Sequence, residues 1–167
     1  MPALPPAPPQ PPAILSIAGF DPTSGAGILA DAAVFRALGF HPLAVLTSVA
    51  AQGASHLRQI HNLPEEFLIR QLEIIAAEFH PLAVKVGMLY SPEAVQVVAA
   101  FVRAMNIPAV LDPVLRSTSG GDLIKPEALP LLEGVLVPVC RLVTPNLAEA
   151  GYFLDRWLHT RPFLMII

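Results

Sequence analysis

The chain has 167 residues, 54% of them apolar and only 14% charged, against roughly 25% charged in an ordinary soluble domain. That excludes disorder over most of its length and fits one domain, or part of a larger one, with a sizeable core. The formal charge of -3 leaves no basic excess for a phosphate backbone, so no nucleic-acid partner is expected, and a single cysteine, Cys140, argues for a reducing, cytoplasmic setting.

Residues 1–12 are rich in Pro and carry no positive charge, so they lack the leading region of a signal peptide and read as a disordered extension. The apolar runs that follow are broken by charge, Pro or Gly before the roughly 18 residues a bilayer span needs, so no membrane partner is expected. Residues 13–18 (AILSIA) read as a buried strand, and 19–24 as a turn. A helix over 25–38 follows, with Ile28, Leu29, Ala32, Phe35 and Leu38 at near-helical spacing and Gly39 as its stop. A second strand covers 42–51, and 52–63 is a polar connection. Pro64 opens the next helix at its first position, with Glu65 and Glu66 at its positive end and Phe67, Leu68, Leu72, Ile75 and Phe79 facing inward.

A third strand is expected over 83–89. Ser91-Pro92-Glu93 then gives a cap, a first-position Pro and an early acid for a helix to about Met105. A fourth strand over 108–111 ends at Asp112-Pro113. A Gly-containing stretch over 117–122 leads to a Pro-limited helical piece at 127–132, then a fifth strand over 140–143 and a helix from Pro145 capped by Thr144. Strands alternating with helices predict βαβ units and a mainly parallel sheet, which binds ligands at the carboxyl ends of its strands. The polar residues at the five strand ends are therefore expected to meet at one cleft.

The first loop, from Gly19 to Gly27, lets backbone amides approach a ligand and sets Asp31 on the following helix, but it has neither dinucleotide nor P-loop spacing. On spacing alone, a tight turn chosen for backbone freedom is the preferred reading, and Asp31 by itself reads equally as a solvated helix residue. Gln52 offers a donor and an acceptor side by side, matching an aminopyrimidine edge as Asn and Gln match adenine, or is simply an exposed loop glutamine. Met88 brings a polarizable sulfur suited to a flat ring, or simply fills the core. Asp112, Asn146 and Glu149 together have the oxygen donors of a magnesium-phosphate site. Separately, Asp112-Pro113 reads as a turn, Asn146 as a cap and Glu149 as a first-turn partner of the helix dipole. Lys85 either reaches a phosphate or pairs with a carboxylate, and the pairing is preferred. Nothing near Cys140 supplies a base, so it reads as a small buried hydrophobe.

Taken in order, Ser16-Ile-Ala-Gly-Phe-Asp-Pro-Thr-Ser-Gly-Ala-Gly-Ile-Leu-Ala-Asp31, Thr47-Ser-Val-Ala-Ala-Gln52, Lys85-Val-Gly-Met-Leu89, Val110-Leu-Asp-Pro-Val114 and Thr144-Pro-Asn-Leu-Ala-Glu-Ala150 resemble the hydroxymethylpyrimidine/phosphomethylpyrimidine kinases of thiamine biosynthesis. The resemblance implies a ribokinase-like α/β fold, a mainly parallel sheet flanked by helices, and phosphate transfer from ATP to a pyrimidine hydroxymethyl group and then to the monophosphate. It implies that Gly19, Ala26, Asp31, Gln52 and Met88 line the pyrimidine pocket. Asp112, Asn146 and Glu149 would organise ATP phosphates and Mg²⁺, with Asp112 and Glu149 as the metal ligands.

The family continues through further βα units and carries a late Gly-Thr-Gly-Cys-like motif that supplies an anion hole; no such motif occurs in this sequence, so no catalytic residue is assigned. The expectation is a partial kinase domain over 13–154, apparently truncated, followed by an atypical apolar tail over 155–167. Its partners would be the small-molecule pyrimidine and ATP, in a homo-oligomer or with a complementing chain. The alternatives are a non-catalytic remnant or pyrimidine-binding module, and a pyridoxal-type kinase.

Overall fold

The computed structural model describes residues 11–53, 56–117 and 120–160, with backbone alone for 156–160. Most of the expected extension over 1–12, residues 118–119 of the Gly-containing stretch, and 161–167 of the expected tail lie outside the described residues. Six strands form one sheet in the order β3-β2-β1-β4-β5-β6. They are β1 (Ala13–Phe20), β2 (His41–Gln52), β3 (Leu57–Asn62), β4 (Val84–Val86), β5 (Ala109–Leu111) and β6 (Leu142–Val143). All neighbouring pairs are parallel except β2 and β3. The helices are α1 (Gly27–Ala37), α2 (Glu65–Glu78), α3 (Pro92–Met105), the short α4 (Leu129–Leu131) and α5 (Leu147–Thr160). The mainly parallel sheet with its helices is the architecture expected from the sequence.

Strand alternation decides which face becomes core. Leu15, Ile17, Leu43, Val45, Val84, Val86 and Leu111 point to one face and meet Leu68, Leu72 and Ile75 of α2 and Val95, Val98 and Val102 of α3. Ser16 and Lys85 are register partners on β1 and β4, and their side chains point the other way, toward α1. Ser91 caps α3 by accepting the Ala94 N–H at 3.3 Å, with Pro92 at the first helical position.

Several local expectations need correction. The connection over 52–63 contains β3, which pairs antiparallel with β2 as an edge strand; its polar outer side hides the strand signal. α1 buries no residue fully, and Leu38, expected at its buried face, follows its last residue as the cap and is 67% exposed. Phe67 is likewise exposed, while Leu68, Leu72 and Ile75 carry the contact of α2. Pro64 stands one residue before α2, as its cap residue. The third strand is short, three residues long, so Met88 falls in the loop beyond it. Residues 126–139 form four successive helical pieces of 3-10, α, π and 3-10 type, broken up where Pro126, Pro130 and Pro138 withhold a backbone donor. α5 starts at Leu147, two residues later than expected, and runs to Thr160; Thr144 donates its hydroxyl to Leu111 O at 3.4 Å instead of capping that helix.

Candidate active site

The sheet order reverses at β1: the chain leaves it for β2 on one side and later returns to β4 on the other. Such a switch point leaves a crevice beyond the carboxyl ends of the strands. The β1–α1 loop shapes one wall. Buried Asp21 accepts the Thr23 N–H at 2.9 Å and the Thr23 hydroxyl at 2.8 Å, and the Ser24 N–H closes a turn onto Asp21 O at 3.1 Å. Gly27 has φ +65°, and a Cβ there would stand 2.2 Å from Gly19 O, so the loop folds back on the end of β1 only because this residue is glycine.

A charged chain crosses the floor. The Ser16 hydroxyl donates to Asp31 Oδ2 at 2.6 Å, and Lys85 Nζ donates to the same oxygen at 3.2 Å. Lys85 Nζ also lies 3.5 Å from Asp112 Oδ2. Lys85 therefore has the carboxylate-pairing role, between an aspartate on a helix and another at a strand end. The side chains of Lys85 and Asp31 are only 23% and 16% exposed, so this pairing is less screened than a surface ion pair.

Above this floor lies a cavity of about 390 Å³. Gly19, Ala26, Asp31, Gln52 and Met88, drawn from three strand ends, the β1–α1 loop and α1, all line it, and Asp112 lines it as well. Met88 is fixed through its carbonyl, which accepts the Thr47 hydroxyl at 2.9 Å, and its sulfur lies 3.8 Å from Ser48 Oγ. Gly19 gives that sulfur room, since a Cβ at residue 19 would lie 3.2 Å from it. The cavity lining thus brings together the thioether residue Met88, the amide residue Gln52 and the acidic residues Asp31 and Asp112.

Asn146 and Glu149 line a second cavity of about 360 Å³. They cap each other: the Asn146 side-chain oxygen accepts the Glu149 N–H at 3.0 Å, and the Glu149 carboxylate accepts the Asn146 N–H at 2.9 Å. The other Glu149 oxygen accepts the Leu115 N–H at 3.3 Å. Asp112 and the Asn146/Glu149 pair thus face neighbouring cavities, and no cluster of three His, Cys, Asp or Glu side chains occurs among the described residues. A magnesium-nucleotide complex needs only one or two carboxylates, with phosphates and water completing the shell, and these hard oxygen donors suit it. Asp112 is the more open of the two, with its side chain 40% exposed.

Two residues at the site carry more than their sequence context indicates. Asp21 sits in an Asp-Pro-Thr turn signal, which marks a loop but not that the carboxylate is buried within it. Arg116 lines both cavities, a position that depends on how the segment after Asp112 folds and has no local signature.

The phosphomethylpyrimidine kinase family model matches residues 21–162. The chain belongs to that family. It is similar to the hydroxymethylpyrimidine/phosphomethylpyrimidine kinase of Mycobacterium tuberculosis, 41% identical over 156 residues, which is 91% of this chain and 57% of the relative. Its fold is similar to the crystal structure of a phosphomethylpyrimidine kinase from Clostridium difficile, with a TM-score of 0.80 at 35% identity over 86% of this chain and 63% of that one. It is also similar to the pyridoxal kinase of Staphylococcus aureus in complex with AMP-PCP and pyridoxal, with a TM-score of 0.77 at 29% identity over 89% of this chain and 53% of that one. The chain spans about half the length of the curated relatives it matches.

Proposed function

We propose that the protein phosphorylates 4-amino-5-hydroxymethyl-2-methylpyrimidine and its monophosphate from ATP, as a step of thiamine biosynthesis. The observation that carries this reading is the gathering of Gln52, Met88 and Asp31 with Asp112 in one cavity. The Gln52 amide reads the amino group and ring nitrogen of the pyrimidine, and the Met88 sulfur lies against the ring. Asp31, held by Ser16 and Lys85, presents its carboxylate to a substrate donor, and the backbone at Gly19 and Ala26 closes the pocket.

Asp112 and Glu149 would hold Mg²⁺, with Asn146 beside the nucleotide phosphates. When bound, the ion neutralises charge on those phosphates. The chain's own part in the transfer is alignment of the hydroxymethyl oxygen with the phosphoryl group and exclusion of water. Similarity to the mycobacterial kinase supports this substrate over pyridoxal, since the pyridoxal kinase likeness is at lower identity. The edge of β6 away from β5 has no strand beside it among the described residues, and Leu142 of that strand is exposed. A second copy or a complementing chain would cover that edge.

The test is incubation of the purified 167-residue chain with Mg-ATP and the hydroxymethylpyrimidine, reading the phosphorylated product by mass beside an Asp112→Asn control. Product above the control supports the kinase reading. Binding without product supports a pyrimidine-binding module, and product from pyridoxal alone reassigns the substrate.

A further inference from the structure

Both substrates of the proposed reaction fit one pocket only if that pocket tolerates an alcohol and then a phosphate at the same carbon. The first cavity has three acidic lining residues, Asp21, Asp31 and Asp112, so a phosphorylated ligand enters acidic surroundings. Lys85 offers little relief, because it is already shared between Asp31 and Asp112. Among the described lining residues, the remaining cation is Arg116, at the seam with the second cavity.

Arg116 is poised for exchange. Its Nε donates to Asp122 Oδ1 at 3.0 Å, and the two side chains are 73% and 69% exposed, so the pair is weakly held. The backbone beneath does not depend on that pair. Arg116 and Asp122 face each other across an antiparallel bridge, flanked by Ser117 N–H to Gly121 O at 2.8 Å and Leu123 N–H to Leu115 O at 2.9 Å. The guanidinium can leave Asp122 while its Cα stays in place, and its planar fork suits a phosphate better than a single carboxylate oxygen.

We propose that Arg116 is the specificity residue for the phosphorylated pyrimidine, trading its Asp122 contact for the substrate phosphate at the seam between the two cavities. The proposal rests on the pyrimidine reading of the first cavity. Asp122 acts as the competitor that holds the Arg116 guanidinium at the cavity rim when the unphosphorylated alcohol is bound.

Titration calorimetry without nucleotide tests this, using the hydroxymethylpyrimidine and its monophosphate as separate ligands and circular dichroism to verify folding. Arg116→Ala is expected to weaken monophosphate binding about tenfold or more while leaving the alcohol unchanged, and Arg116→Lys to recover part of the loss. Asp122→Asn is expected to tighten the monophosphate alone. If the wild-type chain binds both ligands and Arg116→Ala alters neither, or both equally, the assignment of Arg116 is overturned while the pyrimidine reading stands. If it binds neither, the pyrimidine reading falls and this inference with it.

Discussion

Gly87 makes the space that the Lys85 ammonium occupies: a Cβ at residue 87 would stand 3.0 Å from Lys85 Nζ and 3.1 Å from the Ala18 Cβ. The lysine tip can give way, but the Ala18 methyl, fixed on β1, cannot. Gly87→Ala is expected to cost about 1–2 kcal/mol and to displace Lys85 from Asp112. Lys85→Met removes the cation altogether, leaving Asp31 and Asp112 to face each other, and is expected to cost about 1–3 kcal/mol. Urea unfolding of both variants measures these losses, and a Lys85→Met variant as stable as wild type would remove the ammonium from any part in holding the site.

The reciprocal cap at the start of α5 separates two roles of Glu149. Asn146→Ala should cost about 1 kcal/mol as a lost cap. Glu149→Ala should cost more, about 2 kcal/mol, because the Asn146 and Leu115 N–H groups both lose an acceptor. Glu149→Gln keeps the shape and an acceptor, so its stability loss should be smaller while Mg²⁺-dependent turnover falls more than pyrimidine affinity. Unfolding curves and steady-state kinetics on the same preparations distinguish the two roles.

At Gly27 the obstacle is backbone. With φ at +65° and Gly19 O only 2.2 Å from a would-be Cβ, Gly27→Ala must unseat the β1–α1 loop. A loss above about 3 kcal/mol and absence of pyrimidine binding are expected. Gly19→Ala meets instead the Ser48 hydroxyl and the movable Met88 sulfur, so it should lower affinity with a smaller effect on the melting temperature.

Gln52 is half-buried at the end of β2, where it lines the first cavity. Gln52→Ala should weaken pyrimidine binding by about 1–3 kcal/mol, the worth of a buried hydrogen-bonding edge. Unchanged affinity by calorimetry would take the residue out of the pocket.

Burial pushes the Cys140 thiol up to about 11. The neutral thiol is the favoured form in the fold, so its contribution to stability is complete below the ordinary thiol value of 9.0 and is lost as pH rises through about 11. Alkylation at pH 8 should be much slower in the native chain than in urea. Cys140→Ala should flatten the loss of stability between pH 9 and 11, measured by denaturant titration.

Much of the architecture can be read from residue order. Ser91-Pro92-Glu93 announces α3 because a cap hydroxyl, a first-position proline and an early acid act locally. The buried strands are legible as short apolar runs, since both of their faces are covered. β3 is not, because an edge strand keeps a polar side and Leu57 and Ile60 alone hint at pairing. The exposure of Leu38 escapes a periodicity argument, which says which residues share a helix face but not whether anything covers it. At the site, Asn146 and Glu149 belong together by their i, i+3 spacing, whereas their distribution into a different cavity from Asp112 depends on the path of residues 113–117 and 120–125. Arg116 gains its position from that same path.

The central place of β1 has a consequence for assembly. Ser16, Asp31, Lys85 and Asp112 come from four separate stretches of chain, and their contacts close only when α1, β4 and the end of β5 are all seated around β1. In a chain that has paired only β1 and β2, the Asp31 carboxylate has its serine but not its ammonium. Native geometry at Lys85 therefore reports that the middle of the sheet is complete, and its rate of appearance during refolding times the last docking step of the inner strands.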